Sequence, residues 1–532
     1  MMKTATNPMK TIRYTILSLL IITGCQQNPK NKKNDIDSDR HHKAIINPVL
    51  PGDRPDPTVI QIGNEYYASA TSNEWAPLFP IYKSSDLLEW ELVNYVFPEG
   101  APMWAKNNFW APELSYDEEQ GKIYAYYTAR DKQSNRLSVA VASSSSPTGK
   151  FEDHGPLVAQ EHGSIDAYEV RDDDGKIYVL WKEDGNSKGL PTPIWAQEVN
   201  EQRTRLLGQP IELFRNDQIW EKNLVEGVSV FKENGYFYAT YSAGACCDRE
   251  CNYQTGVARA KKLLGPWEKY SANPILVDNK DWKCAGHGTV VKMDNDYFML
   301  YHAYNTAGSV YVGREGVLEQ LSWTQDQWPI FGNAATYSRE KEMIDFSDIF
   351  EAGLDPLWQW RVTQDIEFET GKEGLILKAS IENENLGSLL VQSTKSSNYQ
   401  METTINMDLS DAKGGILLVG AAHNGFGAPI AGIGIAATKD GFSIFETINQ
   451  SESIMAQKQI VLEGKIGMKM EVTEGHLLRF SFKLKGKNWQ SFDHVAYANH
   501  LVPWGMGFRL GMFAKGNENQ KINFIQTNVV NK

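Results

Sequence analysis

Asn234-Gly235-Tyr236-Phe237-Tyr238-Ala239-Thr240-Tyr241-Ser242 is a turn followed by an aromatic-rich run. Asn-Gly accepts the positive φ values of a tight hairpin, and the run after it suits a pleated, half-buried strand. The pattern occurs five times, in Glu65–Thr71, Lys122–Ala129, Lys176–Trp181, Tyr236–Ser242 and Asp296–Tyr304. The other copies follow Gly63-Asn64, Gly121-Lys122, Asp174-Gly175 and Asn295-Asp296. Aligned on Tyr67, Tyr124, Tyr178, Tyr238 and Phe298, they recur at intervals of 57, 54, 60 and 60 residues. A fixed period of this length predicts radially repeated sheets, a five-bladed β-propeller over 47–333. A β-sandwich with chance self-similarity offers no reason for the period.

The repeat also places chemistry. Eleven or twelve residues before each anchor stand Asp56, Glu113, Asp166, Glu226 and His287. Equivalent positions of radial sheets converge on one axis, and carboxylates converging on an axis are what acid/base hydrolysis needs. Beyond a polar linker the character changes. Runs such as Gly374–Leu377, Gly415–Leu418, Phe442–Phe445 and Leu477–Leu484 read as antiparallel strands, so 345–532 is expected to be a second all-β domain, a sandwich. Its Trp358, Trp360 and Trp489 suit core packing or stacking on sugar, core being the commoner use.

The first 25 residues carry Lys3, Lys10 and Arg13 ahead of a short apolar stretch, Tyr14–Thr23, too short to span a bilayer. Ile22-Thr23-Gly24-Cys25 resembles a bacterial lipobox, which predicts export with lipidation of Cys25; an ordinary signal peptide is the alternative. Residues 26–46 are polar and aperiodic and read as a disordered tether. A net charge of −13 argues against nucleic acid as a partner. Four further cysteines, Cys246, Cys247, Cys251 and Cys284, fit an exported chain with at least one disulfide, with three pairings open. Their spacing matches no usual zinc pattern.

Taken singly, the aligned residues are modest signals. Asp56 lies between Pro55 and Pro57, which fix the backbone around it. Asp166 is one acid among small and apolar residues, and Glu226 sits in Val225-Glu226-Gly227, where apolar surroundings favour the neutral carboxyl of a proton donor. Asp172-Asp173-Asp174-Gly175 reads as a solvated turn rather than a calcium loop. Glycines flank His287 and free space around its ring; a structural histidine and a water or metal contact are both open. In Phe109-Trp110-Ala111-Pro112-Glu113, Trp110 or Glu113 should reach the pocket, because alternation forbids that every neighbour does.

Together these motifs resemble glycoside hydrolase family 43. In order they are Arg54-Pro55-Asp56-Pro57, Trp110-Ala111-Pro112, Ile165-Asp166-Ala167 before Asp174-Gly175-Lys176, Glu226-Gly227, Gly286-His287-Gly288, Gly313-Arg314-Glu315 and Trp323…Trp328-Pro329. The resemblance implies a propeller hydrolase that inverts configuration, with Asp56 as general base, Glu226 as general acid, and Asp166 orienting Glu226 and keeping its pKa raised. It implies sugar contacts from Arg314, from Trp75 as a pocket wall, and from Trp110. His287 matches an axial histidine that in some members touches calcium or an ordered water; no cofactor is required, and a structural Ca²⁺ in the channel is the one metal implied. The second domain looks like the concanavalin-like sandwich of xylosidase-type members. The expected activity is release of terminal α-L-arabinofuranosyl or β-D-xylosyl residues from plant or algal polysaccharide by a monomer anchored in the cell envelope. β-D-Galactofuranosidase and endo-arabinanase activities, a non-catalytic sugar-binding lipoprotein and a retaining fructan-type propeller are the alternatives. Ser242–Cys251 departs from the family pattern, which puts transfer of specificity in doubt.

Overall fold

The computed structural model describes residues 45–331 and 345–532. The expected signal peptide, Cys25, nearly all of the tether and most of the linker lie outside the described residues. Among the described residues no helix is long and apolar enough to cross a membrane.

Each aromatic run is the second strand of an antiparallel sheet, and five such sheets follow one another. Blade 1 is Thr58–Ile62, Glu65–Ser69, Leu78–Ser84 and Glu91–Phe97; blade 2 is Ala105–Asp117, Lys122–Asp131, Leu137–Ser144 and Glu152–Val158. Blade 3 runs through Ser164–Arg171, Ile177–Glu183, Ile194–Val199 and Leu206–Phe214, and blade 4 through Val225–Glu233, Tyr236–Ala243, Gln254–Ala260 and Glu268–Lys269. Blade 5 has Trp282–Met293, Asp296–Asn305 and Glu315–Gln320. The chain start adds to blade 5: Val49 and Leu50 donate their N–H groups to Gly316 O, and Asn47 exchanges hydrogen bonds with Leu318. First and last blades are thereby tied, which removes the open edges of a linear array. Second strands are buried on both faces, as in Lys122–Asp131 and Tyr236–Ala243, because every blade packs between two others.

Residues 345–532 form the expected sandwich. One sheet is ordered Phe368–Gly371, Gly374–Lys378, Lys521–Asn531, Tyr399–Asn406, Lys465–Thr473, Leu477–Lys483, Gln490–Tyr497. The other is Ser388–Ser393, Arg509–Lys515, Lys413–Ala421, Ile430–Thr438, Gly441–Ile448, Ser451–Gln459. In the first sheet Tyr399–Asn406 alternates buried and half-buried residues, since only one face meets the core. In the second, Lys413–Ala421 and Ile430–Thr438 are buried almost throughout. Ile416, Leu418, Ile433 and Ile435 face the sandwich core, while Leu417, Val419, Ala436 and Phe513 pack with Trp75 of blade 1. Two-sided burial explains the continuous apolar runs. Trp358 is fully buried in the sandwich core, hydrogen-bonding Asp348 through Nε1. Trp360 and Arg361 pair as a short strand with Ala76 and Trp75, so the chain entering the sandwich is stitched to blade 1.

Candidate active site

The innermost strands of blades 2 to 5 break their regular pairing close to the aligned position, while in blade 1 Asp56 stands just ahead of an unbroken strand. Register shifts fall between Ile165 and Tyr168 in blade 3, Glu226 and Ser229 in blade 4, and Gly286 and Gly288 in blade 5. Asp56, Asp166 and His287 have φ of 53°, 57° and 44°. Such values are uncommon outside glycine and persist only where the surroundings over-determine them. The bulges re-aim Asp166 and His287. Gly227, at φ 60°, completes the arrangement, since a Cβ there would lie 2.7 Å from Cγ of His287.

Asp56 is 8% exposed and both its oxygens are held. Arg314 Nη1 donates to Oδ1 at 2.9 Å and Thr71 Oγ1 donates to Oδ2 at 2.7 Å. The backbone N–H of Asp56 donates to Nδ1 of His302 at 3.0 Å. Burial alone would raise the Asp56 pKa, but Arg314, His287 and His302 outweigh it and hold the carboxyl well below its ordinary value. Burial and Arg314 push His302 down to about 4. Arg314 is fixed from behind as well: its Nε and Nη2 donate to Gly505 O of the sandwich at 3.2 and 3.0 Å, and its N–H to Asp53 Oδ1 at 3.3 Å.

His287 bridges the carboxylates. Its Nδ1 lies 3.4 Å from Asp56 Oδ1 and 3.9 Å from Asp166 Oδ2. Asp166 Oδ2 also accepts the N–H of Gly227 at 3.1 Å, which ties it to the residue after Glu226. Glu226 accepts from Lys182 Nζ at 2.7 Å and from the Tyr253 hydroxyl at 2.9 Å. The Glu226 pKa, expected to be held raised with Asp166 beside it, instead lies below its ordinary value. Burial raises Glu226, but the buried ammonium of Lys182, together with His287 and the Tyr253 hydroxyl, more than offsets it. Asp166 is the group lifted, by burial and by the charges of Glu226 and Asp56 against the pull of His287 and Lys182, to about 7. Two neighbouring carboxyls beside one cation retain a single proton near neutrality, a property of the pair in which Asp166 is the member raised and Glu226 the member lowered.

A second ring of polar residues went unread in the sequence. Four residues after each repeat anchor stand Thr71, Thr128, Lys182, Ser242 and His302, all nearly inaccessible. Each touches the acid or histidine of the site: Thr128 Oγ1 accepts the N–H of Asp166 at 3.3 Å, and Ser242 Oγ accepts that of His287 at 2.7 Å. The same internal alignment that found the first ring contains the second. Tyr253 carries no repeat signal; it follows the cysteine loop and stacks on His302, ring centroids 5.6 Å apart.

The remaining expected residues separate. Trp110 stands half-buried at the site's edge; its Nε1 donates to Asn73 at 2.8 Å and its ring meets Phe426, which in turn meets Trp504. Trp75, expected as a pocket wall, is instead 6% exposed among sandwich side chains, with Arg361 and Arg509 near its ring face. The entry of the sandwich chain beside Ala76 takes that surface. Glu113 is buried on its inner strand, raised by burial to about 8, with a weak hydrogen bond from Thr289. Disulfides join Cys246 to Cys247 and Cys251 to Cys284. The loop they hold connects the acid side, through Tyr253, to the Arg314 side, where Cys247 Sγ lies 3.5 Å from where a Cβ on Gly505 would be. As for calcium, both Asp56 oxygens are occupied by protein donors, and among the described residues no group of three His, Cys, Asp or Glu side chains is placed to hold a metal ion.

Comparison with known proteins agrees with this geometry. Residues 45–329 match the model of glycosyl hydrolases family 43, and residues 345–525 that of the beta xylosidase C-terminal concanavalin A-like domain. The chain is 27% identical over 379 residues to "Xylosidase/arabinosidase 43B" of Humicola insolens, covering 65% of this chain and 68% of that protein. It is 28% identical over 377 residues to "Beta-xylosidase" of Bacillus subtilis (strain 168), covering 65% and 66%. The chain thus spans about two thirds of the length of these relatives. The structure of a xylan beta-1,4-xylosidase from Bacillus Halodurans C-125 superposes with a TM-score of 0.76 at 19% identity, over 91% of this chain and 99% of that one, which shows a common fold. A five-bladed propeller with its acids on the inner strands, followed by a concanavalin-like sandwich, places the chain in glycosyl hydrolases family 43, a family of glycosidases.

Proposed function

We propose that the protein is an exported, exo-acting glycosidase that removes terminal α-L-arabinofuranosyl or β-D-xylosyl residues from plant or algal polysaccharides or oligosaccharides with inversion. The observation that carries this reading is the division of three buried carboxyls into one held ionised by Arg314 and a pair that keeps one proton near pH 7. An inverting displacement needs that inventory: a base and an acid present together. Asp56 takes a proton from water as the water oxygen bonds to the anomeric carbon. Glu226 gives a proton to the leaving oxygen as the glycosidic bond breaks. In the free site Lys182 neutralises Glu226 and Asp166 stores the proton. Glu226 receives it when the glycosidic oxygen approaches, and the ionised Asp166 keeps its hydrogen bond from Gly227. The proximity of Gly505 to Arg314, and the Trp110–Phe426–Trp504 aromatic chain, support a pocket walled on one side by the sandwich, which suits a terminal sugar. The names of the relatives support a pentosyl substrate. Anchoring through a lipid on Cys25 rests on the lipobox-like segment, and a Cys25→Ser protein that stayed in the membrane fraction would refute it.

Aryl α-L-arabinofuranoside, β-D-xyloside and β-D-galactofuranoside assayed side by side decide the substrate. Cleavage of either pentoside is expected; cleavage of the galactofuranoside alone would replace the pentosyl assignment. Proton NMR of the first-formed sugar should show the inverted anomer, and a retained one would exclude the mechanism.

A further inference from the structure

Behind Asp56, where blade 1 meets the sandwich, lies a cavity that the catalytic arrangement does not use. Its walls include Arg54 and Thr71 of the propeller and Gln392, Lys395 and Arg509 of the sandwich. Three cations therefore face it against one carboxylate, Asp53, which is already engaged by Arg509 Nη1 at 2.9 Å and by the N–H of Arg314. Arg54 donates to Asp53 O and to Ser393 Oγ, and among the described residues neither Arg54 nor Lys395 has a carboxylate within ion-pairing distance. Two donors on lining residues have no protein partner among the described residues: Nε of Arg509, on a residue 3% exposed, and Nε2 of Gln392, on one 5% exposed. Leaving such donors buried and unpaired is costly, more so on a charged group, so the arrangement calls for an acceptor. Arg509 is balanced by Asp53, so the surplus of positive charge is that of the half-buried Arg54 and Lys395, and it favours a negative acceptor. The free space is small, about 20 Å³, room for one or two waters or one monatomic ion.

We propose that this cavity binds a small inorganic anion of halide size, held by Arg54, Gln392, Lys395 and Arg509. The ion ties sandwich to propeller and stiffens the base from behind. Thr71, which lines the cavity, donates to Asp56 Oδ2, and Asp53 fixes the backbone of Arg314, which donates to Asp56 Oδ1. The inference does not depend on which sugar is cleaved.

Bromide tests it. Crystals soaked in sodium bromide and measured at the bromine edge should show an anomalous peak in the cavity beside Arg509 Nε and Gln392 Nε2. In solution, Tm of the whole chain should rise saturably by about 2 °C in bromide or chloride relative to gluconate at equal ionic strength. Lys395→Met and Gln392→Leu should each lose most of that rise. Lys395→Met should also be the more stable protein in gluconate, where an unpaired cation has been removed. Absence of the anomalous peak, meaning water alone fills the cavity, overturns the proposal. So does a halide effect of the same size in the wild type and both variants.

Discussion

Lys182 Nζ lies 2.7 Å from Glu226 Oε2 in a site where Lys182 is 2% exposed. The pair favours the ionised form of Glu226 over that of the adjacent Asp166. A cation there stabilises the deprotonated acid and so lowers the pH at which the Asp166–Glu226 pair gives up its last proton.

Lys182→Met should therefore move the alkaline limb of the kcat/KM profile to higher pH. Wild type should lose activity as pH rises through about 7, the value to which Asp166 is lifted. In the variant Glu226 can be neutralised only by a proton, so its stability deficit should be larger at pH 8 than at pH 5. Paired pH–rate and pH–Tm series check both, and an unchanged alkaline limb would remove Lys182 from the account.

Asp56→Asn and Glu226→Gln should each lower hydrolysis by about 10³-fold or more with the fold intact. Their stability signatures differ from that of Asp166. The Asp56 pKa is lowered in the folded state, so its contribution is present in full above the unfolded value and is lost as pH falls through the folded one. The deficit of Asp56→Asn should shrink below about pH 4. The Asp166 pKa is raised, so ionising it costs stability as pH climbs from about 4 to about 7. Asp166→Asn should gain on wild type between pH 5 and pH 8, as read by Tm.

Gly227→Ala should cost about 2–3 kcal/mol and most of the activity, because the methyl group meets the His287 ring at 2.7 Å and φ is 60°. Chemical denaturation and kcat measure the two effects. Wild-type values would mean that His287 moves aside without consequence.

Arg509→Met should destabilise by about 3–5 kcal/mol, since it leaves the Asp53 carboxylate buried without its partner. Because Asp53 also orients Arg314, kcat should fall more than KM rises. Asp53→Asn combined with Arg509→Met should recover much of the stability, and failure to recover it would show that Arg509 acts through packing on Trp75.

The sequence determined the fold and the location of the site. An interval of 54–60 residues and an alternation of turn and aromatic run are local properties, and they held because each blade buries its own second strand. Asp56, Asp166, Glu226 and His287 were legible because equivalent positions in radial sheets must converge. Thr71, Thr128, Lys182, Ser242 and His302 were present in the same alignment, four residues past each anchor, unread because hydroxyls and a lysine at strand ends look like solvated edges. Only the tertiary structure decided the charges. Which carboxyl keeps the proton depends on a cation two or three ångströms away, and Lys182 is 44 residues from Glu226 in the chain. Trp75 shows the same limit from the other side: an aromatic beside the site in sequence was claimed by a second domain whose docking no local pattern encodes. Gly505, more than 190 residues beyond Arg314, holds that guanidinium by a backbone carbonyl, a group every residue has, so nothing in its identity could have announced it.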